Sequence, residues 1–326
     1  MFRVDVHIKI GVVDIDFCVD GEIKSTWKDL TDTARIVLPK NIKKLKGHEL
    51  IQDLIAKGDA VEIQLGYDGV MNVEFAGFVT EVEVGIPLVI HCEDYMWKLK
   101  QSTITHSWKK ATLEDIVFLI TPNDIEYECL DFEIGAFRID KASPAQVLEY
   151  LKSHYGMKPF FRGKKLYVGF AYPFDNYSLV RYDFQRNVKE KGQRLKYTRK
   201  SDVKLKVKGI SYLADGTKIE YETGNPEGAE RTLSYYNVSK AALQENVQRD
   251  FDKLLYEGFR GDFKAFARPY VQHGDIANIK DDMVPDHVGT YFVDSVKTMF
   301  GPKHGIERTI EIGALASVTE IANANE

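Results

Sequence analysis

Apolar and polar residues alternate along the first stretches of the chain, which is the pattern of half-buried β-strands. In residues 2–10 every second side chain is apolar, and the alternation resumes in residues 13–19 after Gly11. These two stretches predict a hairpin. A short, mostly apolar segment over residues 34–39 predicts a further strand.

A strand-turn pattern occurs twice, once in each half of the chain. Each copy begins with a Gly-Asp turn and continues into a strand, a connection and a returning strand whose apolar residues alternate. The turn positions are Gly58, Asp59 and Gly77 in the first copy, and Gly274, Asp275 and Gly289 in the second. If the copies are equivalent, Gly58 and Gly274 begin corresponding strands, and Gly77 and Gly289 both directly precede the returning strand. The chain is then a duplicated unit within one polypeptide.

A helical pattern precedes each copy of the turn. The first covers residues 48–57, with Leu54 on its apolar face, and the second covers residues 240–257, with Leu254 on its apolar face. We expect each helix to pack on the sheet of its own copy through this face.

The middle of the chain predicts mixed α/β structure. Thr112 is a suitable cap for one helix, and Ser143, followed by Pro144 and Gln146, has the signature of a capping box that starts another. Residues 160–169 predict a hairpin.

Together these patterns predict a mainly β protein of the α+β class, with two barrel-like domains and a small α/β domain between them. The first barrel, with its short helix, spans residues 1–100, the α/β domain 101–172 and the second barrel, with the longer helix, 173–313. A chain of 326 residues has room for two or three domains. Residues 314–326 are small and polar, and we expect them to form a flexible tail.

Composition narrows the class of protein. The formal charge of −5 is too small to indicate a nucleic-acid or membrane partner, and no apolar run is long enough for a membrane-spanning helix. Charged residues at every second position argue against a signal peptide at the N-terminus. Cys18, Cys92 and Cys129 are widely spaced, which argues against a disulfide framework and a zinc site and fits a reducing cytoplasm.

No motif in the sequence indicates catalysis or a cofactor. His48 and Glu49 begin like a zinc-protease helix, but Gln52 stands where the second histidine would bind the metal. Three aspartates lack the spacing of a calcium-binding loop, and a solvated strand face explains them: Asp14, Asp16 and Asp20. A P-loop, a dinucleotide fingerprint and a nucleophile elbow are absent. We therefore expect no enzyme activity, no metal and no cofactor.

The strongest charge feature is a basic stretch over residues 186–208. It is either a solvated strand and loop face or a docking face for an acidic partner, such as a neighbouring subunit. Nucleic acid is a weaker alternative, because Tyr197 is the only aromatic residue of the stretch available for stacking. The candidate docking residues are Arg194, Lys196, Arg199, Lys200, Lys204, Lys206 and Lys208. The acidic segment 218–230 is a candidate complement in the packing of subunits.

The order of elements in the second half of the chain resembles a known family. A capped helix from Ser143 leads into residues 165–169, and a later helix is followed by the second Gly-Asp copy and by residues 306–313. This order resembles the baseplate hub proteins of phage tails, the late-control protein D family, and the hub half of the VgrG spikes of type VI secretion. The first Gly-Asp copy, with residues 75–79, is similar to the N-terminal barrel of that family.

The resemblance implies a structural role. It implies a homotrimer in which each chain gives two tube-like β-barrels, so that three chains make a pseudo-sixfold ring joining the tail tube to a central spike. The implied partners are the tail tube protein and a central spike or tail-tip protein, with the tape-measure protein as a further candidate. The implied place is the baseplate of the virion tail, after assembly in the host cytoplasm. The sequence has no β-helical spike, so we expect a separate chain to supply it.

Two other classes of protein stay open. A tail-associated cell-wall hydrolase would need paired carboxylates or a Cys/His pair in a cleft, and the sequence has no such local motif. A tail-tip receptor-binding module would use aromatic loops such as residues 171–177, which a domain junction explains equally well.

Overall fold

The protein is mainly β, as the sequence predicts. The structure is a computed structural model that describes residues 3–39, 50–170, 177–189, 194–213, 216–255, 257–284 and 288–316. Its strands are β1 (Val4–Ile10), β2 (Val13–Ile15), β3 (Asp20–Thr26), β4 (Thr33–Leu38), β5 (Ala60–Tyr67), β6 (Val70–Glu83), β7 (Leu88–Glu93), β8 (Ile104–Thr112), β9 (Glu126–Cys129), β10 (Glu133–Ala142), β11 (Phe160–Arg162), β12 (Lys165–Val168), β13 (Leu179–Asp183), β14 (Lys196–Thr198), β15 (Leu205–Tyr212), β16 (Lys218–Gly224), β17 (Ala229–Tyr236), β18 (Gly258–Phe266), β19 (Ile276–Lys280), β20 (Gly289–Gly301) and β21 (Gly305–Leu315). Its α-helices are α1 (Met96–Leu99), α2 (Leu113–Ile120), α3 (Pro144–Tyr155) and α4 (Lys240–Leu254).

Thirteen strands join in one main sheet. Eleven of them lie side by side in the order β14-β18-β21-β20-β3-β4-β7-β6-β5-β1-β2, and β19, with β13 beside it, pairs with the first part of β20. The predicted hairpin of β1 and β2 is present at one end. The described strands form open sheets, so a single chain does not show the two closed barrels predicted from the sequence.

The two Gly-Asp copies have the same strand order within the main sheet. Neighbouring strands follow the antiparallel order β5-β6-β7-β4 in the first half and β19-β20-β21-β18 in the second. We call β4–β7 the first Gly-Asp unit and β18–β21 the second. Strand β3 adjoins β4 in the first unit, and β14 adjoins β18 in the second.

Each unit packs an apolar core against one face of its part of the sheet. Ile36 and Ile63 are fully buried in the first core, as are Phe263 and Ile310 in the second. Phe300 belongs by sequence to β20 of the second unit but lies in the core of the first. The hydrophobic effect therefore holds the two units together as well as stabilising each one.

The two predicted helices that precede the Gly-Asp turns differ from expectation. Of the first, residues 40–49 lie outside the described residues, and the remainder forms one 3-10 turn, Ile51–Asp53, with Leu54 packed on the first core. The described part of this segment is therefore not the α-helix that the sequence predicts.

The second helix is present as α4, but it packs mainly on a separate three-stranded sheet and makes only a smaller contact with its Gly-Asp unit, at β18 and β21. That sheet has the order β16-β15-β17 and is inserted between β14 and β18. Leu243 and Val247 of the helix share a core with Leu205 and Val207 of β15. The apolar face of α4 is thereby buried in the core of the inserted sheet.

The middle of the chain contains the two predicted capped helices. Thr112 and Asp115 form a capping box at the start of α2, and Ser143 and Gln146 form another at the start of α3. These helices pack with β8 and β10, and with the small sheet β11-β12-β9, around one apolar core. None of the described helices is long and apolar enough to cross a membrane.

Candidate assembly interface

The first Gly-Asp turn joins the start of β5 to the middle of β6. The Gly58 amide donates to the Val79 carbonyl oxygen at 2.8 Å, and the Val79 amide donates to the Asp59 carbonyl oxygen at 2.9 Å. The Asp59 carboxylate accepts a hydrogen bond from the Ala56 amide at 2.8 Å, which closes the turn. Gly58 has a φ of +94°, which glycine adopts far more readily than a residue with a β-carbon.

The second Gly-Asp turn repeats this geometry. The Gly274 amide donates to the Val293 carbonyl oxygen at 2.7 Å, and the Val293 amide donates to the Asp275 carbonyl oxygen at 2.8 Å. The Asp275 carboxylate accepts from the Gln272 amide at 2.7 Å, and the φ of Gly274 is +86°. Gly58 and Gly274 therefore occupy corresponding positions at the starts of β5 and β19.

The correspondence continues into the returning strands. Phe78 pairs with the first residue of β5, and Phe292 pairs with the first residue of β19. Two residues later each returning strand has a β-bulge, at Thr80 in β6 and at Asp294 in β20. A bulge bends its strand and increases the local twist, so the two units curve at the same place.

Gly77 and Gly289 do not correspond. Gly77 lies in the middle of β6, where a β-carbon would meet the Glu93 carbonyl oxygen at 2.0 Å. Gly289 is the first residue of β20, and the residue aligned with Gly77 is Tyr291. The prediction that both glycines directly precede the returning strand is therefore wrong for Gly77. The close approach of the neighbouring strand, and not a turn, requires glycine there.

Strand β3 joins the two units through what we call the internal junction. Residues 21–26 of β3 pair antiparallel with residues 295–300 of β20. Thr298 and Phe300 of this segment are 2% and 0% exposed. The Phe300 ring lies so close to Gly21 that a β-carbon on Gly21 would be 2.1 Å from its Cζ atom. The main sheet is therefore continuous from one unit to the other and is sealed by apolar packing.

The two edges that form the internal junction each have a counterpart elsewhere in the chain. Residues 81–83 of β6 correspond to residues 295–297 of β20, and β7 is the only described strand that pairs with them. Residues 196–198, which form β14, correspond to residues 24–26 of β3, since each segment adds to the outer side of its unit. Strand β14 is the last described strand at its end of the sheet. Among the described strands, each of these two segments therefore lies at an edge of the main sheet.

The candidate docking residues lie in two places. The first place is the edge strand β14 with its flanking residues and the 3-10 turn that follows, and it includes Arg194, Lys196, Arg199 and Lys200. The second place is strand β15 of the inserted sheet and the residue before it, and it includes Lys204, Lys206 and Lys208. Beside β14, the Arg194 guanidinium is 2.9 Å from Asp262 and its side chain is 76% exposed. Lys196 is exposed on the same edge. Docking through this edge remains a prediction.

Two of the predicted docking lysines are neutralised within the chain. Lys206 Nζ is 2.9 Å from a Glu222 carboxylate oxygen and 3.3 Å from one of Glu230, and Lys208 Nζ is 2.7 Å from Glu220. Hydrogen bonds to these glutamates raise the pKa of both ammonium groups. The acidic segment 218–230 is thus the partner of β15 in the same chain, where the sequence suggested a neighbouring subunit.

A buried polar cluster that the sequence does not reveal lies beside the internal junction. Ser25 Oγ is 2.5 Å from an Asp32 carboxylate oxygen and 2.7 Å from Nδ1 of His273, and Arg162 donates to the His273 carbonyl oxygen at 2.6 Å. Together with Asp94, these residues line a cavity of about 90 Å³. No local motif predicts the cluster, because its members come from four distant segments of the chain.

The geometry of this cluster differs from that of a hydrolytic triad. The serine hydroxyl lies between the carboxylate and the imidazole, whereas a hydrolytic triad places the imidazole between the other two groups. Burial, with a smaller effect of Arg162, lowers the pKa of His273 to about 3, and burial raises the pKa of Asp32 to about 7. A neutral His273 suits a buried hydrogen-bonded position.

The metal candidates do not form a site in the described residues. Asp14 and Asp16 contact His7, at 3.6 and 2.8 Å, whereas Asp20 contacts Arg35 at 3.5 Å. The segment that begins at His48 lies outside the described residues. In the part of the chain that the structure describes, no group of three or more His, Cys, Asp or Glu side chains has metal-binding geometry.

The fold is shared with several solved tail proteins. The tail protein from Neisseria meningitidis aligns with a TM-score of 0.62 over 95% of this chain and 96% of that chain, at 17% identity. The 43 kDa tail protein of prophage MuSo2 from Shewanella oneidensis aligns with a TM-score of 0.63 over 96% of this chain and 99% of that chain, at 12% identity.

A third structure links the same fold to secretion. An E. coli component of the type VI secretion system, described as structurally similar to the T4 bacteriophage tail proteins gp27 and gp5, aligns with a TM-score of 0.60 over 95% of this chain and 77% of that chain, at 9% identity. No family model and no curated protein matches the sequence. At these identities the likeness concerns the fold, which is that of phage tail proteins and of this secretion component.

Proposed function

We propose that the chain is the structural baseplate hub of a phage tail or of a related contractile injection machine. The observation that carries the proposal is the duplicated Gly-Asp unit, with one junction formed inside the chain and two segments at sheet edges that correspond to the two sides of that junction. The likeness of fold to tail proteins over nearly the whole chain supports the same class. A hub of this kind acts through its shape, as a symmetry adaptor and conduit.

In the proposed assembly three chains form a homotrimer. Two similar units in each chain offer six similar surfaces to a sixfold tail tube, while the true threefold axis receives a central spike or tail-tip protein. Pairing of the left-over edges between chains would complete the ring and would protect open strand edges from aggregation. The division into two tube-like barrels, residues 1–100 and 173–313, and an α/β domain, residues 101–172, belongs to this proposal. The sheets that are open in one chain would close around the channel in the trimer.

The proposed hub has a location in the virion and a set of binding partners. The hub would be of the late-control protein D type, would assemble in the host cytoplasm and would reside in the virion tail. Its partners would be the tail tube protein on one face and the spike or tail-tip protein on the other, with the tape-measure protein as a further candidate.

Light scattering and electron microscopy test the assembly. Size-exclusion chromatography with light scattering, over a range of protein concentrations, should give three times the chain mass of 37.2 kDa. Negative-stain images should show threefold rings with six peripheral lobes around a channel. A monomer or dimer at every concentration, or a ring of another symmetry, would contradict the proposal.

A further inference from the structure

We infer that the contact between subunits is a strand addition, in which residues 81–83 of one copy pair antiparallel with residues 196–198 of the next. The inference rests on the proposed trimer and specifies which residues form it. It extends the main sheet from chain to chain, as β3 and β20 extend it within a chain. The occupant of each open edge is therefore a second copy of this chain.

The internal junction fixes the register of the contact. Strand β14 pairs with β18 as β3 pairs with β4, and the bulges at Thr80 and Asp294 align β6 with β20. In the internal junction residues 24–26 pair with residues 295–297 in antiparallel order. The corresponding pairs between two copies are Glu81 with Thr198, Val82 with Tyr197, and Glu83 with Lys196.

The charges at the two edges favour this register. In the internal junction Lys24 lies opposite Lys297, and a Glu22 carboxylate oxygen 2.9 Å from Lys297 Nζ offsets their repulsion. In the contact between copies, Glu83 takes the place of Lys297 and lies opposite Lys196. Opposite charges directly across an antiparallel pair attract, whereas like charges there are destabilising. The charge pair in the contact between copies is therefore more favourable than the pair of lysines in the internal junction.

Apolar side chains in the loop after β6 lack the cover that the internal junction provides at the corresponding positions of β20. Val84 and Ile86, in the hairpin loop that follows β6, are 63% and 83% exposed. At the same distance beyond the bulge of β20, Thr298 and Phe300 are 2% and 0% exposed. An open groove of about 500 Å³ lies beside β14, and its apolar walls are Phe184, Val188, Leu195, Phe259 and Met283. The hairpin loop of the next copy fills this groove with Val84 and Ile86.

A cysteine pair tests the register. Glu81→Cys/Thr198→Cys places two thiols directly across the contact, with β-carbons about 5 Å apart. The control Glu81→Cys/Arg194→Cys moves the second thiol four residues along the strand, about 13 Å away. Both variants keep the natural cysteines, so any cross-linking through those is the same in each. After mild oxidation, the first variant should run as covalent dimers and trimers on a non-reducing denaturing gel, and the control should run as a monomer. Equal cross-linking in the two variants, or none in the first, overturns the contact.

Charge reversal provides a second test. Glu83→Lys and Lys196→Glu should each cause a several-fold fall in the trimer fraction at low salt, and the double variant should restore it, because the opposite charges are then exchanged. Lys109→Glu, at an exposed position of β8, is the control for the change in charge and should leave the trimer fraction unchanged. Circular dichroism checks that each variant is folded, since Glu83 also lies 2.8 Å from His91. A double variant as weak as the single variants contradicts the pairing of Glu83 with Lys196.

Light scattering on the cysteine variants separates failure of the contact from failure of the hub proposal. A trimer whose in-register cysteines do not cross-link overturns the contact and leaves the trimer standing. Cross-linked chains of more than three copies support the contact and contradict the closed trimer. A monomer that does not cross-link at any concentration overturns both.

Discussion

Removal of the Phe300 ring should weaken the link between the two Gly-Asp units. The ring is fully buried and reaches from β20 of the second unit into the core of the first. The paired backbones of β3 and β20 hold the site open, so the cavity left by Phe300→Ala cannot readily collapse. Truncation of a buried phenylalanine costs about 3–5 kcal/mol of the free energy of unfolding. That is a large fraction of the total stability of a domain, which is about 5–15 kcal/mol.

Gly21 allows the same packing to be tested from its other side. Because a β-carbon on Gly21 would lie 2.1 Å from the Phe300 ring, Gly21→Ala should cost about 1–3 kcal/mol through overpacking. In the Phe300→Ala background the ring is absent, and the added methyl group occupies part of the cavity. The double variant should therefore be no less stable than Phe300→Ala alone. The two substitutions then show a coupling energy of about 1–3 kcal/mol.

Chemical denaturation, followed by tryptophan fluorescence, measures the stability of the four proteins of this cycle. Hydrogen exchange of peptides that cover residues 21–26 and 295–300 localises the effect to the internal junction. Phe118→Ala is the control, because that side chain is 70% exposed and its truncation should change stability by less than about 0.5 kcal/mol. Additive costs for Gly21→Ala and Phe300→Ala, or unchanged exchange in both peptides, would refute the account of the junction.

Three further predictions concern the polar groups of the chain. Burial raises the pKa of Asp32 from 3.8 to about 7, so the folded state binds this proton more tightly than the unfolded state does. The stability that the protonated carboxyl group contributes is therefore lost as the pH rises through that range. Asp32→Asn should gain stability relative to the wild type over the same range in thermal denaturation, and a constant difference would contradict this. Arg308→Met leaves the buried Glu74 carboxylate without its partner and should lower the free energy of unfolding, measured by chemical denaturation, by about 3–5 kcal/mol. The exposed control Arg138→Met should have little effect, and equal losses in the two variants would refute the role of the pair. Incubation with peptidoglycan should release no products, and a turnover that a single carboxylate or histidine substitution abolishes would favour the hydrolase alternative.

The sequence predicts those elements whose signals are local. The capping boxes that begin at Thr112 and Ser143 specify α2 and α3, because each cap and its partner lie within one helical turn. The Gly-Asp turns are local in the same sense, since Asp59 and Asp275 each close a turn with an amide three residues earlier. Short-range hydrogen bonds of this kind follow from the residue types at neighbouring positions, so the sequence alone predicts them.

The sequence does not predict features that depend on how distant segments meet. Gly77 has the appearance of a turn glycine, but the approach of β7 explains it. Lys206 suggests a docking residue until the register of β15 on β16 places Glu222 beside it. Ser25 and His273 are far apart in the chain, and only the internal junction brings them together. In each case the missing information is strand pairing, which alternation of apolar residues constrains only to one face of a sheet.

The geometry of the internal junction, more than any single side chain, would determine the symmetry of the assembly. The paired backbones of β3 and β20, with Phe300 buried beneath them, hold the two units of a chain at one fixed rotation. If the same pairing recurs between residues 81–83 and residues 196–198 of successive chains, each contact adds a similar rotation about the same axis. A repeated rotation closes into a ring when it divides a full turn, and otherwise it produces an open helix. Six units close the ring only if the internal rotation is near one sixth of a turn, so substitutions that alter the packing of Phe300 against Gly21 should change ring closure as well as stability.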